Sequence, residues 1–109
     1  MHFEVSRIPN GVKARLREEL NISSVAEDRD HLVKLLQPSG ELELDLEGLT
    51  EIDTAGVQLL VALRREADRI GCVCHLAGSD ETVREAFGTL GLGHLLDEPL
   101  VGKGVPRGS

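Results

Sequence analysis

The stretch TEIDTAGVQLL, Thr50 to Leu60, stands between a strand pattern and a helix pattern, and its division decides the fold. Upstream, ELELDL (Glu41 to Leu46) alternates leucines with carboxylates, the period of a half-buried strand. Downstream, Gly56, Leu60, Leu63, Ala67 and Ile70 line one side of a helix, and Gly71 follows where a left-handed cap belongs. The spacing predicts a helix from Thr54 to Ile70 with Asp53 as its N-cap. Its first turn then holds Thr54, Ala55 and Gly56, and two of these are poor helix formers. A helix start has unpaired backbone N–H groups and the positive end of the macrodipole. Small residues there keep the tip low, with the Thr54 hydroxyl outward, so that a partner's backbone or a phosphate can approach. The plainer alternative is a common N-cap, with Gly56 serving only to pack the helix close to the sheet.

Working outward, HFEVSRI (His2 to Ile8) reads as a first strand, and Pro9 to Gly11 as a hairpin turn on its Asn-Gly signal. Val12, Ala14, Leu16 and Leu20 alternate with Lys13, Arg15, Arg17 and Glu19 in a second strand. Ser24 and Glu27 have capping-box spacing before a helix carrying Val25, Leu32, Val33 and Leu36, which Pro38 and Gly40 end. CVCHLA (Cys72 to Ala77) is a largely buried strand. Gly78 to Leu92 is an amphipathic helix capped by Ser79 or Asp80, and His94 to Leu96 adds a closing strand or turn.

The order β-β-α-β-α-β-α belongs to the α/β class. A parallel sheet covered on both faces has near-continuous apolar strands, whereas these keep a polar side. The expectation is a small mixed β-sheet of four to five strands with helices packed mainly on one face and right-handed crossovers. Residues 1–100 form one domain. Residues 101–109 read as a flexible tail, in which VPRGS matches most of a protease-cleavage linker from expression vectors.

A chain of 109 residues, 40% apolar and 28% charged, suits one globular core. Its net charge of −7 and lack of Tyr and Trp argue against nucleic acid, which needs clustered cations or a stacking platform. No apolar run approaches the roughly 18 residues of a membrane span, and the first residues lack signal-peptide character, so a cytosolic protein is expected. Cys72 and Cys74 are too close along a strand for an ordinary disulfide and read as small core residues. Together with His75 they are a poor match to a zinc site. No phosphate-binding glycine motif is present, and His2, His31, His75 and His94 have no nucleophile motif near them. Glu41, Glu43 and Asp45 read as a solvated strand face; Asp45, Glu47, Glu51 and Asp53 would hold Mg²⁺ only loosely. Neither cofactor, metal nor catalysis is expected.

The run from Leu44 to Leu96 resembles a STAS domain, the family of sulphate transporters and anti-sigma-factor antagonists. The resemblance rests on Asp45-Leu46-Glu47-Gly48-Leu49, on Asp53-Thr54-Ala55-Gly56-Val57, and on VREAFGTLGLGHLL at Val83 to Leu96. Upstream, Glu19-Leu20-Asn21 matches a family motif whose preceding glycine is replaced by Glu18, so the likeness covers roughly residues 3 to 98. It implies a non-enzymatic, phospho-regulated binding module with Thr54 as the phosphorylation site. The implied partner is a histidine-kinase-like ATPase that acts as anti-sigma factor and Ser/Thr kinase, with a phosphatase to reset the switch. The implied contact face holds Asn21, Ser23, Ser24, Asp53, Thr54, Ala55, Gly56, Gln58, Ser79 and Asp80. A phosphate on Thr54 would add about −1.5 to −2 charges beside Glu47, Glu51 and Asp53, to be repelled by an acidic partner face. Similar stand-alone STAS proteins accompany the ATPase of lipid-type ABC transporters or occur in chemotaxis clusters, and weak nucleotide binding is a third reading.

Overall fold

Strands β1 (Phe3–Ile8) and β2 (Gly11–Leu20) form an antiparallel hairpin in which Ile8 lies opposite Gly11. The turn is therefore Pro9–Asn10, and Gly11 opens β2 instead of completing the turn. The reason is close approach: a Cβ on Gly11 would collide with the carbonyl oxygen of Glu41 in the next strand. These observations come from a computed structural model of the chain that describes residues 3–78 and 80–96. Ser79, His2 and the expected 101–109 tail lie outside the described residues.

The sheet has the order β1-β2-β3-β4, with β3 (Glu41–Ile52) and β4 (Val73–Ala77) both parallel to β2. Helix α1 (Val25–Val33) joins β2 to β3, and α2 (Thr54–Ile70) joins β3 to β4. Both connections step the same way across the sheet, so right-handed crossovers put α1 and α2 on one face. Helix α3 (Glu81–Thr89) packs on β3 beside α2, and a 3₁₀ turn at Gly93–Leu95 follows in place of a fifth strand. One core results: Leu32 of α1, Leu60 and Leu63 of α2 and Phe87 of α3 meet Leu16, Leu42, Leu44, Leu46 and Leu76 of the sheet. Each fully buried side chain of this kind contributes roughly 1.5–3 kcal/mol of apolar transfer.

Helix α2 has the bounds its periodicity predicts, ending in Gly71 at φ 82°. Three other elements depart from expectation. Strand β3 runs on to Ile52, beyond Leu46, because β2 extends beside it and pairs Leu20 with Ile52. The capping box does not form: Ser24 offers no side-chain cap to α1, and its hydroxyl bonds the backbone N–H and C=O of Asn21. Asp45 is not solvated but 5% exposed. Its Oδ1 accepts from Glu47 N at 3.0 Å, its Oδ2 lies 3.2 Å from Arg15 Nε, and Gly78 presses against it from the strand exit.

The open sheet face is a set of cross-strand charges. Lys13 lies 3.8 Å from both Glu43 and Asp45, and Arg17 lies 3.4 Å from Glu4. The exposed Arg17–Glu4 pair stabilises by only a few tenths of a kcal/mol to about 1 kcal/mol, while the more buried Lys13–Glu43 and Lys13–Asp45 contacts are screened less by salt. They do favour the observed register of a basic β2 between acidic neighbours over a slipped one.

Strand β2 is irregular at its far end. Its register with β3 slips between Arg15 and Arg17 and again between Glu18 and Glu19. Glu18 sits at φ 68°, in the left-handed region. Arg17, Glu18 and Glu19 are thereby all exposed while Leu16 and Leu20 both stay buried. This is the position at which the family pattern has glycine. A left-handed residue with a Cβ costs about 1–2 kcal/mol, and glycine gives back roughly half of that through its unfolded-state freedom. Glu18→Gly should therefore raise stability by about 0.5–1 kcal/mol and the melting temperature by roughly 2–5 °C in calorimetry. A loss of stability would show that Glu18 is not strained.

Candidate protein-docking site

The sequence between β3 and α2 makes a sharp corner at Asp53, whose backbone is extended (φ −113°, ψ −173°) while Thr54 is already helical. Both of its carboxylate oxygens are occupied. Oδ1 accepts from Gly56 N at 2.9 Å, the N-cap bond, and Oδ2 accepts from Ile22 N at 3.0 Å, in the loop between β2 and α1. One side chain thus ties the tip of α2 to a segment more than thirty residues upstream. The N–H of Asp53 reaches Leu20 O at 3.3 Å and completes the junction. The backbone N–H bond from Gly56 is the largest influence and holds the Asp53 carboxyl below its ordinary value of 3.8; desolvation, next in size, opposes it, and the N–H groups of Ile22, Ala55 and Asp53 add smaller lowering.

Thr54 is exposed on this corner, with Gln58 exposed one turn later on the same side of α2. Ala55 is half-buried. Gly56 is buried, so it cannot line a contact face, and its role is the one the plainer reading gave it. A Cβ there would collide with the Leu20 carbonyl oxygen and crowd Ile52 Cγ1, so only glycine lets α2 come this close to β2. The low surface at the tip owes itself to Ala55 and to the exposed Thr54.

The loop Asn21–Ser24 lies against this corner, as its bond to Asp53 requires. Asn21 organises it: its C=O accepts from Ser24 N and Val25 N, both at 2.9 Å, and its Oδ1 from Ser23 N at 3.0 Å. Its amide nitrogen bridges Glu19 at 3.0 Å and Glu51 at 3.2 Å. Ser23 is exposed, but Ser24 is 9% exposed and turned inward to the Asn21 backbone, so it is a loop-closing residue and not a contact. Between Asn21 and Ser23 stands Ile22, which the sequence reading passed over. It is the most exposed large hydrophobic residue described, at 73%. The available signal was a lone β-branched residue inside the polar run NISS.

Asp80 serves the next helix. Its Oδ1 accepts from Val83 N at 3.2 Å, capping α3. Strand β4 ends at Ala77 opposite Asp45, and Gly78 contacts Asp45 and Glu47. The Leu20–Ile52 end of the sheet is a further seven residues along β3, on the order of 20 Å in extended chain. Ser79 lies outside the described residues.

The two hollows described lie away from this turn. A groove of about 680 Å³ opens at the opposite end of the sheet, between the hairpin tip and the loop leading into β3. A second cleft of about 410 Å³ runs along Arg15, Arg17, Glu47 and Thr50; neither includes a residue of the Asp53–Gln58 turn. Among the described residues no three His, Cys, Asp or Glu side chains gather as a metal site. None of their helices is long and apolar enough to cross a membrane. Cys72 and Cys74 are buried, with no disulfide between them. The geometry at Thr54 offers a rigid, protruding, acidic surface with one hydroxyl and one apolar side chain.

Two variants probe this corner. Asp53→Asn keeps an acceptor for Gly56 N but turns an amide toward Ile22 N, and should cost about 1 kcal/mol at neutral pH. Because the folded carboxyl is the stronger acid, that difference is fully present above about 3.8 and is lost as pH falls through the lower folded value. Urea titrations from neutral pH down to below 3.8 should show the gap between the two proteins narrow as the pH falls; a gap independent of pH would refute the ionised cap. Gly56→Ala should cost about 1–3 kcal/mol at every pH, since it collides with backbone.

Residues 3–101 match the family model described as "Mlab, STAS domain". A search of curated proteins returned no match. Among solved structures, the anti-sigma factor antagonist SpoIIAA in its unphosphorylated form superposes with a TM-score of 0.74 at 24% identity, covering 94% of this chain and 92% of that one. The phosphorylated form of SpoIIAA, a Bacillus cell fate determinant, gives 0.69 at 23% identity, with 94% and 96% covered. An anti-sigma factor antagonist from Mycobacterium paratuberculosis gives 0.76 at 12% identity, with 90% and 84% covered. At these identities the structures speak for the fold alone, which is the mixed sheet with helices on one face read above. With nearly the whole chain matched by the family model, the protein belongs to the STAS domain family.

Proposed function

We propose that this protein is a non-enzymatic, phospho-regulated binding module that docks a protein partner through the corner at Asp53 and Thr54. The observation that carries the reading is the exposed Thr54 at the first helical position, beside a cap whose two oxygens are already engaged. Asp53 is held ionised and anchored, so it gives the hydroxyl a fixed position and does not compete for it. The partner is a histidine-kinase-like ATPase of the anti-sigma type. It passes the γ-phosphoryl group of ATP to Thr54 Oγ1, takes up the hydroxyl proton and releases ADP; a phosphatase then hydrolyses the phosphothreonine with water, releasing inorganic phosphate and restoring the hydroxyl. A phosphorylated form of SpoIIAA is known as a structure, which supports a phosphate switch in relatives of this fold.

The physical consequence is large because the site is small. Phosphothreonine carries about −1.5 to −2 charges. The N-terminal dipole of α2 offsets part of that charge, by roughly 0.3–1 kcal/mol at an exposed site. A partner closely packed over Thr54 and Ala55 has no room for the group and would have to strip its water, and 3 kcal/mol of misfit is already about a hundredfold in affinity.

The same surface would serve an accessory subunit on the ATPase of a lipid-type transporter, where no phosphate is needed; the match to a family described as Mlab keeps this second reading in play. Intact mass of the protein from its own cells separates the two, since only the switch reading requires a species heavier by one phosphate. Calorimetric titration against the purified kinase should show Thr54→Glu at least tenfold weaker than wild type. Thr54→Ala should bind as wild type does, yet stay bound in the presence of ATP. Equal affinity of wild type and Thr54→Glu would remove Thr54 from the interface.

A further inference from the structure

Ile22 is 73% exposed, yet it is not on a slack loop. Its own N–H is held by Asp53, and the N–H groups of Ser23, Ser24 and Val25 are all taken by Asn21. The N–H of Asn21 in turn reaches the Ser24 hydroxyl at 3.1 Å. Every residue on either side of the isoleucine is thereby fixed, and the side chain is held out in water on a rigid platform. A loop free to rearrange would fold such a side chain inward. A loop built to hold it out needs less ordering when a partner covers it. Asp53 joins this platform directly to the residue before Thr54, so the apolar knob and the hydroxyl move as one body.

The surroundings define what can cover it. No Lys or Arg occurs from Glu18 to Asp28 or from Glu41 to Asp53, and α2 has none before Arg64. The carboxylates of Glu19 and Glu51 flank the loop, bridged by the Asn21 amide and not by a cation. An anionic lipid surface is repelled by such a rim, and a second copy of this chain would bring the same carboxylates face to face. Resting on the Thr54 reading for the identity of the docking end, we infer that Ile22 is the anchor of the interface and inserts into an apolar pocket on a protein partner whose rim carries Lys and Arg. The partner face is then basic, not acidic as the sequence alone suggested. A phosphate on Thr54 dissociates the complex through bulk and lost hydration at close contact, against the pull of that rim.

The test uses the full chain as bait on extract of its native cells, with wild type, Ile22→Ala, Ile22→Val and Thr54→Glu in parallel, and quantitative mass spectrometry of what each retains. The protein that prefers wild type is then identified, purified and titrated against each variant at low and high salt. Because Ile22 is exposed, Ile22→Ala should melt with wild type, and circular dichroism checks this. The expected result is a loss of at least tenfold for Ile22→Ala, near-wild-type binding for Ile22→Val, and weakening as salt rises. Wild-type binding by Ile22→Ala together with loss for Thr54→Glu overturns the anchor and leaves the Thr54 site standing. Loss for Ile22→Ala with full binding by Thr54→Glu does the reverse. Binding that strengthens with salt overturns the basic rim, and an extract in which nothing prefers wild type over both variants overturns both readings.

Discussion

The arrangement at the docking end depends on a single carboxylate. Asp53 caps α2 with one oxygen and holds the β2–α1 loop with the other, so two segments that diverge in sequence share one anion. Each bond is ordinary, and each N–H would otherwise be an unpaired donor at a chain corner. What the pairing adds is geometry. An aspartate that merely capped the helix would leave the neighbouring loop free to adopt its own position. Here the cap determines where Ile22 and Ser23 stand relative to Thr54. The depressed acidity of the group follows from the same bonds, and keeps it an acceptor across the physiological range.

For Asp53 to reach both partners, the end of β2 must come up against the start of α2. The chain achieves this with irregularity. Two register slips and a left-handed Glu18 swing the last residues of β2, and Thr50 Oγ1 holds the Glu18 carbonyl at 3.0 Å across the slip. Gly56 removes the one side-chain carbon that would keep α2 away from Leu20. Bulges tend to gather beside functional positions because they re-aim a strand without breaking the sheet. A regular β2 would point residue 18 into the core along with Leu16 and Leu20. The strain at Glu18 is the local cost of keeping that charge outside while turning the strand toward Asp53.

Periodicity made the fold legible because most of its elements obey one rule at a time. Helix α2 was readable to the residue, since its apolar spacing, its aspartate cap and its Gly71 all mark the same limits. The mixed sheet with its helices on one side followed from the element order and the polar alternation of β2 and β3. Legibility failed where one residue serves two elements. Gly56 looks like a surface-lowering residue until Leu20 is placed behind it, and Ser24 looks like a cap until Asn21 claims its hydroxyl. Asp45 looks solvated because it alternates with leucines, but Arg15 of β2 and Gly78, just past the end of β4, close over it. Ile22 was missed for the same reason: a lone apolar residue in a loop is commonplace until its neighbours are found pinned.

The distribution of charge explains why docking belongs at this end and not on the open sheet. On that face Lys13, Arg15 and Arg17 meet Glu4, Glu43 and Asp45 across adjacent strands, so the charges largely consume one another. A self-neutralised face exerts little field beyond a Debye length and gives an approaching protein little direction. At the far end the carboxylates of Glu19, Glu51 and Asp53 are held by amide and backbone N–H groups, which orient them without cancelling their charge. The charges of these three carboxylates therefore act where Thr54 and Ile22 are presented. On the proposed reading, long-range attraction would bring a basic partner to that end, and short-range fit around one aliphatic side chain and one hydroxyl would decide whether it stays. Separating the two in this way would let a modification at the hydroxyl act on residence without abolishing encounter, which is what a reversible switch requires.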